Sequence, residues 1–499
     1  MTDRASERTR LAAARTVRRE RAGRPTRADA AYLVYVGILV AAIAGVPVVR
    51  TIVLALATPE AVEALTRPEA PRIVGIVGGL LWVGALALGR VRGPIAPPPF
   101  DASVLGRSDI SPVRAWARSL IRAAVGAVLI GAGIAVLAVS GLLANAIAVD
   151  RGIAFAVGCA LYSLAAVALW LAAQVLDRRG AGMLAVVLGA HLVAASAGVP
   201  AIPASALASL WDGSGGLAPL LVLGITAVAG LAALPMLLAR LRPETVETHA
   251  IRWEAISVLA ATGDLAGAAD RTRPLPAFGR RLHIALRRPL LLAVLQRDVV
   301  GSVRTPLRLG VALVTLGLSG AGWAWLSGFD SGPRWVAAIG IGVVAFLALG
   351  ALMDGSREAA DAAGRPALHG LPPERMLLLH LAWPLLCAVL VPALVALAAG
   401  VDVAAAVAVF SAAIVGVRAY DATKGPLPIE LMMPVPTPAG DASSIGIWLW
   451  QSDALLWTAA LSFGALAAMS AGPPTLLWSI PILIVLAALT VGRLRRAAT

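Results

Sequence analysis

Long apolar runs recur along the whole chain, separated by short polar segments. Each run has about 20 residues, the length that an α-helix needs to cross about 30 Å of hydrocarbon. Arg, Pro, Gly and acidic residues stand between the runs, as is typical of loops at a membrane surface. The pattern predicts twelve spans: 31–53, 72–90, 120–145, 152–176, 181–199, 217–239, 308–328, 334–353, 376–399, 401–417, 452–471 and 474–492.

The composition also indicates a membrane-spanning chain. Of the 499 residues, 59% are hydrophobic and 14% are charged. Lipid offers no partner for free backbone groups, so spanning segments must be helices or closed barrels. The long runs lack the alternation of apolar and polar residues that barrel strands require. The fold class is therefore predicted to be all-α, a polytopic bundle of about twelve transmembrane helices.

An apolar stretch of the first half returns in the second half. Pro71–Gly89 reads PRIVGIVGGLLWVGALALG, and Pro333–Gly350 reads PRWVAAIGIGVVAFLALG. Both copies begin with Pro-Arg and end with Leu-Ala-Leu-Gly, and Pro112 and Pro372 then follow in the same register. Two six-helix repeats are therefore predicted. Because each repeat holds an even number of spans, the two are predicted to lie parallel in the membrane.

Polar segments divide the chain into four parts. Residues 1–30 form a basic N-terminal segment, 31–239 the first six-helix half, 240–307 a linker and 308–499 the second half. The linker contains RRLHIALRRPLLLAVLQRDVVGSVRTP, in which arginines are interspersed with Leu, Ile and Val at mixed helical spacings. This pattern predicts an amphipathic helix along the membrane surface, or else a basic tether held on lipid.

The charge distribution predicts the orientation. The net charge is +14, and all but five of the 42 Lys and Arg residues fall on the side of the predicted membrane that holds both termini. By the positive-inside rule, that side is the cytoplasm. The arginines flank the spans, as topology and anionic lipid head groups require, so they do not indicate a nucleic-acid partner. Richness in Arg, Ala and Gly suggests a high-GC bacterium, and we expect a multi-pass protein of the bacterial cell membrane.

Two segments carry a resemblance to a known family. RGPIAPPPFDASVLGRSDISPVRAWARSL follows the second span and contains Gly93-Pro94 and Ser111-Pro112-Val113-Arg114, and MMPVPTPAGDASSIGIWLWQSD follows the tenth. The layout of an Arg-rich interfacial helix, two spans, a Pro-initiated cytoplasmic helix and four more spans resembles the ABC-2-type exporter permeases, with two such halves fused. More narrowly, the chain is similar to an uncharacterised family of high-GC bacterial permease components of ABC transporters.

The resemblance implies that ATP binding and membrane passage belong to different subunits. In such exporters a pair of separate cytoplasmic ABC ATPases binds ATP and magnesium, and short cytoplasmic helices of the permease sit in grooves on the ATPases. The sequence agrees, because Lys424, the only lysine, follows Asp-Ala-Thr and precedes Gly-Pro and therefore cannot close a P-loop. We expect a chain that is not an enzyme, has no catalytic residues and holds no cofactor.

Two Pro-initiated helices are the expected ATPase contacts. Pro at a first helical position starts a short helix at a defined angle, and adjacent charges can pair across an interface. The coupling candidates are Pro112, Arg114 and Trp116 in the first half and Pro372, Glu374 and Arg375 in the second. The second copy replaces RGPIAPPPF with DGSREAADAAG, so equal coupling is not expected. The alternative is that both segments are simple loop starts with interfacial anchors.

Ionisable groups inside a bilayer cost about 2.5–3.5 kcal/mol each, so those that remain indicate a role. Asp453, with Gln451 beside it in WLWQSDALLW, is the best candidate for a substrate path. If the eleventh span begins near 452, as the pattern favours, Asp453 instead caps the helix, and nearby Trp residues form an interfacial belt. His191 and His380 lack a second ligand at metal-binding spacing, so no metal site is predicted.

Other classes of membrane protein stay open as alternatives. A secondary transporter of the major-facilitator type also has six and six spans, and Asp177-Arg178-Arg179-Gly180 matches part of its loop signature. The match lies between spans four and five, whereas that family has its strongest copy between two and three, and carboxylates for ion coupling are scarce. A membrane enzyme would need acidic groups on larger outer loops than these. A non-transporting scaffold is the remaining alternative.

Overall fold

The computed structural model describes residues 9–13, 16–17, 20, 26–143, 148–261, 271, 278–279, 282, 289–328, 334–365, 370–425, 427–433, 436–437, 440–441, 443–472, 477 and 479–498. Regular structure in these residues is helical apart from one short β-hairpin. The chain divides into two compact units between Val258 and Leu259. This division falls inside the predicted linker 240–307.

The first unit is built from helices of very unequal length. In chain order they are α1 Arg27–Val40, which continues through a π-helical turn at Ala41–Gly45, α2 Val46–Leu56, α3 Pro59–Thr66, α4 Ala70–Val91, α5 Pro99–Gly106, α6 Pro112–Leu143, α7 Val149–Val175, α8 Arg178–Ser196, α9 Pro203–Asp212, α10 Ala218–Ala239 and α11 Pro243–Ala261. The last of these crosses the division by three residues.

The second unit repeats the mixture of long and short helices. They are α12 Leu290–Val303, α13 Pro306–Leu326, α14 Arg334–Leu349, α15 Asp354–Asp361, α16 Pro373–His380, α17 Ala382–Ala396 with a 3₁₀ turn at Leu397–Ala399, α18 Val401–Ala422, α19 Ile429–Met432, α20 Ser443–Ala471 and α21 Ser479–Ala498. Strands β1 Pro436–Thr437 and β2 Gly440–Asp441 pair antiparallel, with Pro436 opposite Asp441.

Ten helical segments in the described residues are long and apolar enough to cross a membrane. They are Val34–Leu56, Ala70–Val91, Pro112–Leu143, Val149–Val175, Arg179–Ser196, Ala218–Ala239, Pro306–Leu326, Pro373–Ala399, Val401–Ala422 and Gly446–Ser470. Each overlaps one of the twelve predicted spans, so the expectation of an all-helical, multi-pass membrane protein is confirmed. The spans 334–353 and 474–492 are not among the ten.

These two spans differ from the others for identifiable reasons. The helix that corresponds to 334–353, α14, has only 16 residues, and the chain bends by 69° between α14 and α15. If that bent pair counts as one span, the number becomes eleven. The helix that corresponds to 474–492, α21, ends in a basic turn with Arg495 and Arg496.

Proline and side-chain caps fix where many helices begin. Proline occupies the first or second helical position in α3, α4, α5, α9, α10, α13 and α16, where no amide hydrogen bond within the helix is lost. Thr58 caps α3 by accepting from the Ala61 amide at 3.3 Å, and Asp177 caps α8 by accepting from the Gly180 amide at 2.8 Å. The Asp-Arg-Arg-Gly segment is thus a helix start.

Several helix pairs at equivalent places in chain order are in contact in both units. In the first unit α2 contacts α6, α4 contacts α7 and α8, and α7 contacts α6 and α10. In the second unit, at equivalent places in chain order, α13 contacts α17, α14 contacts α18 and α20, and α18 contacts α17 and α21. The helix α9, which packs between α4, α7 and α10, has no equivalent in the described residues of the second unit.

Aromatic side chains mark the cores of the two units. In the first unit Trp82 stacks on Tyr162 with ring centroids 4.5 Å apart, and Phe155 meets Trp211 edge to face. In the second unit the Trp323 ring, which is buried, meets Phe410 edge to face at 5.0 Å. Such pairs add to the stabilisation that apolar burial provides.

Two predicted helix starts need correction, and a third lies mostly outside the described residues. The span predicted to start at residue 120 begins at Pro112, so the Pro-initiated helix and the span are one continuous helix, α6. The span predicted to start at 452 begins at Ser443. The predicted interfacial helix is helical from Leu290, while most of its Arg-rich start at 280–288 lies outside the described residues.

Candidate functional site

Polar side chains gather at one end of each unit. The polar end of the first unit is where α4 and α7 finish, α6 begins and α11 lies. The polar end of the second unit is where α14, α18 and α21 finish and α16 begins. The six candidates for ATPase contact all lie at these ends, at the starts of α6 and α16.

The loop after α4 is held by a buried glutamine. Gln174, near the end of α7 and 3% exposed, donates from its side-chain amide to the Ile95 carbonyl at 2.8 Å and accepts from the Ile95 amide at 3.3 Å. A Cβ atom at Gly93 would collide with the Gln174 side chain. The Gly-Pro of the loop is therefore explained by close approach to Gln174, because any other residue at 93 would displace it.

A buried histidine completes this contact. His249, on α11 and 8% exposed, accepts through Nδ1 from the Gly93 amide at 3.5 Å and from the Gln174 side-chain amide at 3.4 Å. Burial, aided by the nearby charges of Arg252 and Arg90, lowers the pKa of His249 to about 4. The ring is therefore neutral at pH 7, which suits an Nδ1 that acts as acceptor.

Further bonds tie the same loop to its neighbours. Arg90 donates to the Leu176 carbonyl at 2.8 Å and so satisfies the end of α7, while Trp170 donates to the Arg92 carbonyl at 2.6 Å. The Ser119 hydroxyl, one turn beyond Trp116 on α6, donates to the Pro94 carbonyl at 3.3 Å. The start of α6 is thus fixed to α7 through the loop.

The candidates in the first unit differ in accessibility. Pro112 begins α6 and Arg114 is half-buried. Trp116 is only 5% exposed and belongs to the core cluster of the polar end, so its side chain cannot make the surface contact predicted for it. It lines a cavity of about 230 Å³ together with Arg118 and Arg122, two exposed residues that the sequence analysis did not select.

The candidates in the second unit surround the start of α16. Pro372 is exposed and immediately precedes the helix, and Arg375 is exposed in its first turn. Glu374 accepts from Arg495 Nε at 3.1 Å, which connects α16 to the end of α21. Arg375 is therefore the most accessible charged candidate of this unit.

A buried pair of contacting polar side chains lies beneath these residues. His380 Nδ1 is 2.8 Å from Asp298 Oδ2, with the two side chains 1% and 7% exposed, and the pair joins α16 to α12. A Cβ atom at Gly355 would collide with both side chains, so α15 packs directly on the pair. The partners are 82 positions apart in the chain, a distance at which sequence spacing carries no signal. In the described residues no three His, Cys, Asp or Glu side chains could hold a metal ion.

A buried arginine in the second unit holds the end of α14. Arg418, 8% exposed and near the end of α18, donates from Nε to the Phe346 carbonyl at 2.7 Å and pairs with Asp421 at 3.0 Å. Arg308 donates to the Gly350 carbonyl at 3.1 Å, on the same turn of chain. In the first unit a polar residue near the end of α7 thus fixes the loop after α4. In the second unit a polar residue near the end of α18 fixes the end of α14.

The Asp453 environment differs from the predicted helix cap. Because α20 begins at Ser443, Asp453 lies about three turns inside the helix, which excludes the cap. Its carboxylate accepts from the Tyr420 hydroxyl at 2.6 Å and forms an ion pair with Lys424. Arg493 donates to the same hydroxyl at 3.0 Å. The Gln451 backbone carbonyl lies 3.5 Å from Lys424 Nζ.

Comparison with known proteins assigns no family. No family model matches the chain, and neither the curated proteins nor the solved structures give a match. Function therefore has to be argued from the fold and from the polar ends.

Proposed function

We propose that the protein is the membrane-spanning permease subunit of an ABC exporter of the ABC-2 type. The observation that carries the proposal is the fixed attachment of the starts of α6 and α16 to their units, through Gln174 and Ser119 in the first and Asp298–His380 in the second. A helix start that is bonded to its neighbours passes an applied force to them instead of yielding locally. Coupling to an external motor requires such a connection.

The proposed arrangement places both polar ends and both termini in the cytoplasm of a bacterial cell. The chain would contain twelve spans in two repeats, and the recurrence of several helix contacts in both units supports the repeat. A pair of ATPases would hold ATP and magnesium and would touch Arg114 and Arg375, while Pro112 and Pro372 set the angles of the helix starts. Closure of the ATPases would then move the two halves from inward-open to outward-open.

One observation supports a second candidate function, secondary transport. Tyr420, Lys424, Asp453 and Arg493 bring ionisable groups together on three long helices of the second unit and just beyond the end of α18. A carboxylate on a spanning helix that pairs with a basic group is a feature of ion and substrate pathways. A secondary transporter would work without an ATPase partner.

The first experiment is to tag the chain, extract it from its native membrane in mild detergent and identify co-purifying proteins by mass spectrometry. The proposal expects a P-loop ATPase at about two copies per chain. A chain that purifies without an ATPase, while it catalyses ion-dependent uptake in vesicles, would support secondary transport instead.

The coupling residues are tested in the purified complex. Arg114→Glu combined with Arg375→Glu is expected to change the ATP hydrolysis rate at intact assembly, because like charge replaces attraction at the interface. The matched control is Arg240→Glu combined with Arg365→Glu, two exposed arginines that lie outside α6 and α16. Equal hydrolysis rates in the two double variants would refute the coupling assignment.

A further inference from the structure

Three long helices of the second unit carry a cluster of charged groups near one end. Lys424 follows α18, Asp453 lies on α20 and Arg493 lies on α21, and the Tyr420 hydroxyl connects them. We call these four residues the charged cluster. Asp453 pairs closely with Lys424, whereas its nearest oxygen is 4.0 Å from Arg493. The neighbouring Arg418 is paired with Asp421, so the cluster has one positive charge in excess.

The excess charge is accessible. The Arg493 side chain is 21% exposed, in contrast to 7% for Lys424, which also lies over the Trp450 ring. A guanidinium has five donors in a planar fork, and the two contacts of Arg493 to Tyr420 leave donors for another acceptor. Such a group binds phosphate strongly, because it can donate two parallel hydrogen bonds.

The same three helices enclose an apolar cavity of about 350 Å³. Phe410 and Leu461 are buried and form its floor, while Val409 and Phe463 are exposed and form its rim. The cavity therefore opens at the outer surface of the helices. The helices α18 and α20 that form most of its wall belong to segments apolar enough to span a membrane, so hydrocarbon is the expected medium at the opening.

The distance between the charged cluster and the apolar cavity matches the distance between the head group and the acyl chain of a lipid. Asp453 and Phe463 are ten residues apart on α20, which corresponds to about 15 Å along the helix axis. This is about half of the 30 Å hydrocarbon core, or the depth of one leaflet. If the charged cluster lies at the level of the head groups, the cavity lies at the level of the acyl chains of the same leaflet.

We propose that α18, α20 and α21 bind one anionic phospholipid of the surrounding bilayer, with its phosphate at Arg493 and an acyl chain in the apolar cavity. The charge excess selects an anionic head group, and the cavity supplies the apolar contact that a surface arginine alone lacks. The site does not depend on a partner ATPase, so the test of lipid binding is independent of the test of the proposed function.

The test uses the full-length protein in phosphatidylcholine vesicles that contain a trace of phosphatidylglycerol with a photoreactive group on its acyl chain. After illumination, the labelled peptides are identified by mass spectrometry. Labelling is expected to concentrate on 409–413 and 460–467. Unlabelled phosphatidylglycerol should compete about fivefold better than phosphatidylcholine with the same chains, which is the effect of one interfacial arginine. Glycerol phosphate, which has no acyl chain, should not compete.

Two variants test the apolar cavity and the charged cluster separately. Gly464 lines the cavity, and a Cβ atom there would meet no neighbour within 4 Å, so Gly464→Leu adds a side chain to the cavity from an open position. It should reduce the labelling of these segments severalfold, whereas Gly340→Leu, at an equally open position on α14, should not. Arg493→Gln should abolish the preference for phosphatidylglycerol, whereas Arg496→Gln should preserve it.

The proposal is overturned by either of two results. One is labelling spread evenly over the lipid-facing helices and unchanged by Gly464→Leu. The other is equal competition by the two phospholipids in the unmodified protein. Because Gly464→Leu and Arg493→Gln act on different helices, a folding defect in one variant leaves the other as a valid test.

Discussion

Gln174 and Arg418 perform the same task in the two units. Each lies three residues before an aspartate, Asp177 or Asp421, and each is buried near the end of the fourth long helix of its unit. Gln174 bonds both backbone groups of Ile95, and Arg418 bonds the Phe346 carbonyl. Different side chains thus make equivalent connections: Gln174 joins α7 to the loop after α4, and Arg418 joins α18 to the end of α14.

Removal of the hydrogen bonds between Gln174 and Ile95 should destabilise the first unit. Gln174→Leu leaves the Ile95 amide and carbonyl buried without their side-chain partner, and we expect a loss of about 1–3 kcal/mol in unfolding free energy. Thermal unfolding of the purified protein in detergent measures the loss. The control is Thr226→Val, because the Thr226 hydroxyl bonds only the Val222 carbonyl of its own helix. Equal melting temperatures for the two variants would contradict the prediction.

His249 should make the first unit sensitive to acid. Its pKa is lowered to about 4 in the folded protein, below the ordinary value of 6.5, so folding favours the neutral ring. The resulting stabilisation is complete above about pH 6.5 and is lost as the pH falls towards 4, with a total of about 2–3 kcal/mol. His249→Asn keeps a hydrogen-bonding group but does not titrate. Its unfolding temperature should fall less between pH 7 and pH 4.5 than that of the unmodified protein, and parallel curves would refute the assignment.

Asp298 and His380 should be energetically coupled. Because both side chains are buried, loss of the carboxylate partner in Asp298→Asn should cost about 1–3 kcal/mol of unfolding free energy. In a double-mutant cycle with His380→Gln, the coupling energy should exceed about 1 kcal/mol. The adjacent exposed pair Arg297–Glu358 is the control, and its coupling energy should stay below about 1 kcal/mol. A coupling near zero for the buried pair would show that the two groups do not interact.

Lys424 offers a direct chemical probe of the charged cluster. It is the only lysine, so an amine-reactive reagent reports on this side chain and the N-terminal amine alone. Its side chain is 7% exposed and held by Asp453, so labelling should be slow. Asp453→Asn removes the ion pair and should speed labelling severalfold, while Asp421→Asn, which acts on Arg418, should not. Fast labelling of the unmodified protein would exclude the buried ion pair.

Length and polarity were sufficient to predict most of the membrane-spanning helices. A run of about 20 apolar residues has no other stable structure in hydrocarbon, so ten predicted spans have matching helices. The other two, 334–353 and 474–492, correspond to a bent helix pair and to a helix with a basic last turn. A helix start was also misplaced. Ser443 to Gln451 mixes Ser, Gly, Trp and Gln, a composition that suggested an interfacial loop, yet it continues α20.

The polar contacts could not be predicted, because they join residues far apart in the chain. The Asp298–His380 pair spans 82 positions, and the Gln174–Ile95 contact spans 79. Trp116 was predicted as an ATPase contact because it lies on a Pro-initiated helix, but its side chain is on the face of α6 that packs into the core. A glycine next to Pro94 was the one local signal of close approach.

The helix α6 runs unbroken for 32 residues, about 48 Å, and so extends about 18 Å beyond the hydrocarbon that it crosses. Its counterpart is interrupted after His380, because Pro384 has no amide to donate to the His380 carbonyl, which accepts from the Ser356 hydroxyl instead. A force at the start of α6 would act along one continuous helix, whereas a force at the start of α16 would first cross the non-helical residue Leu381. Under the proposed coupling to ATPases, the two halves would therefore be displaced by unequal amounts.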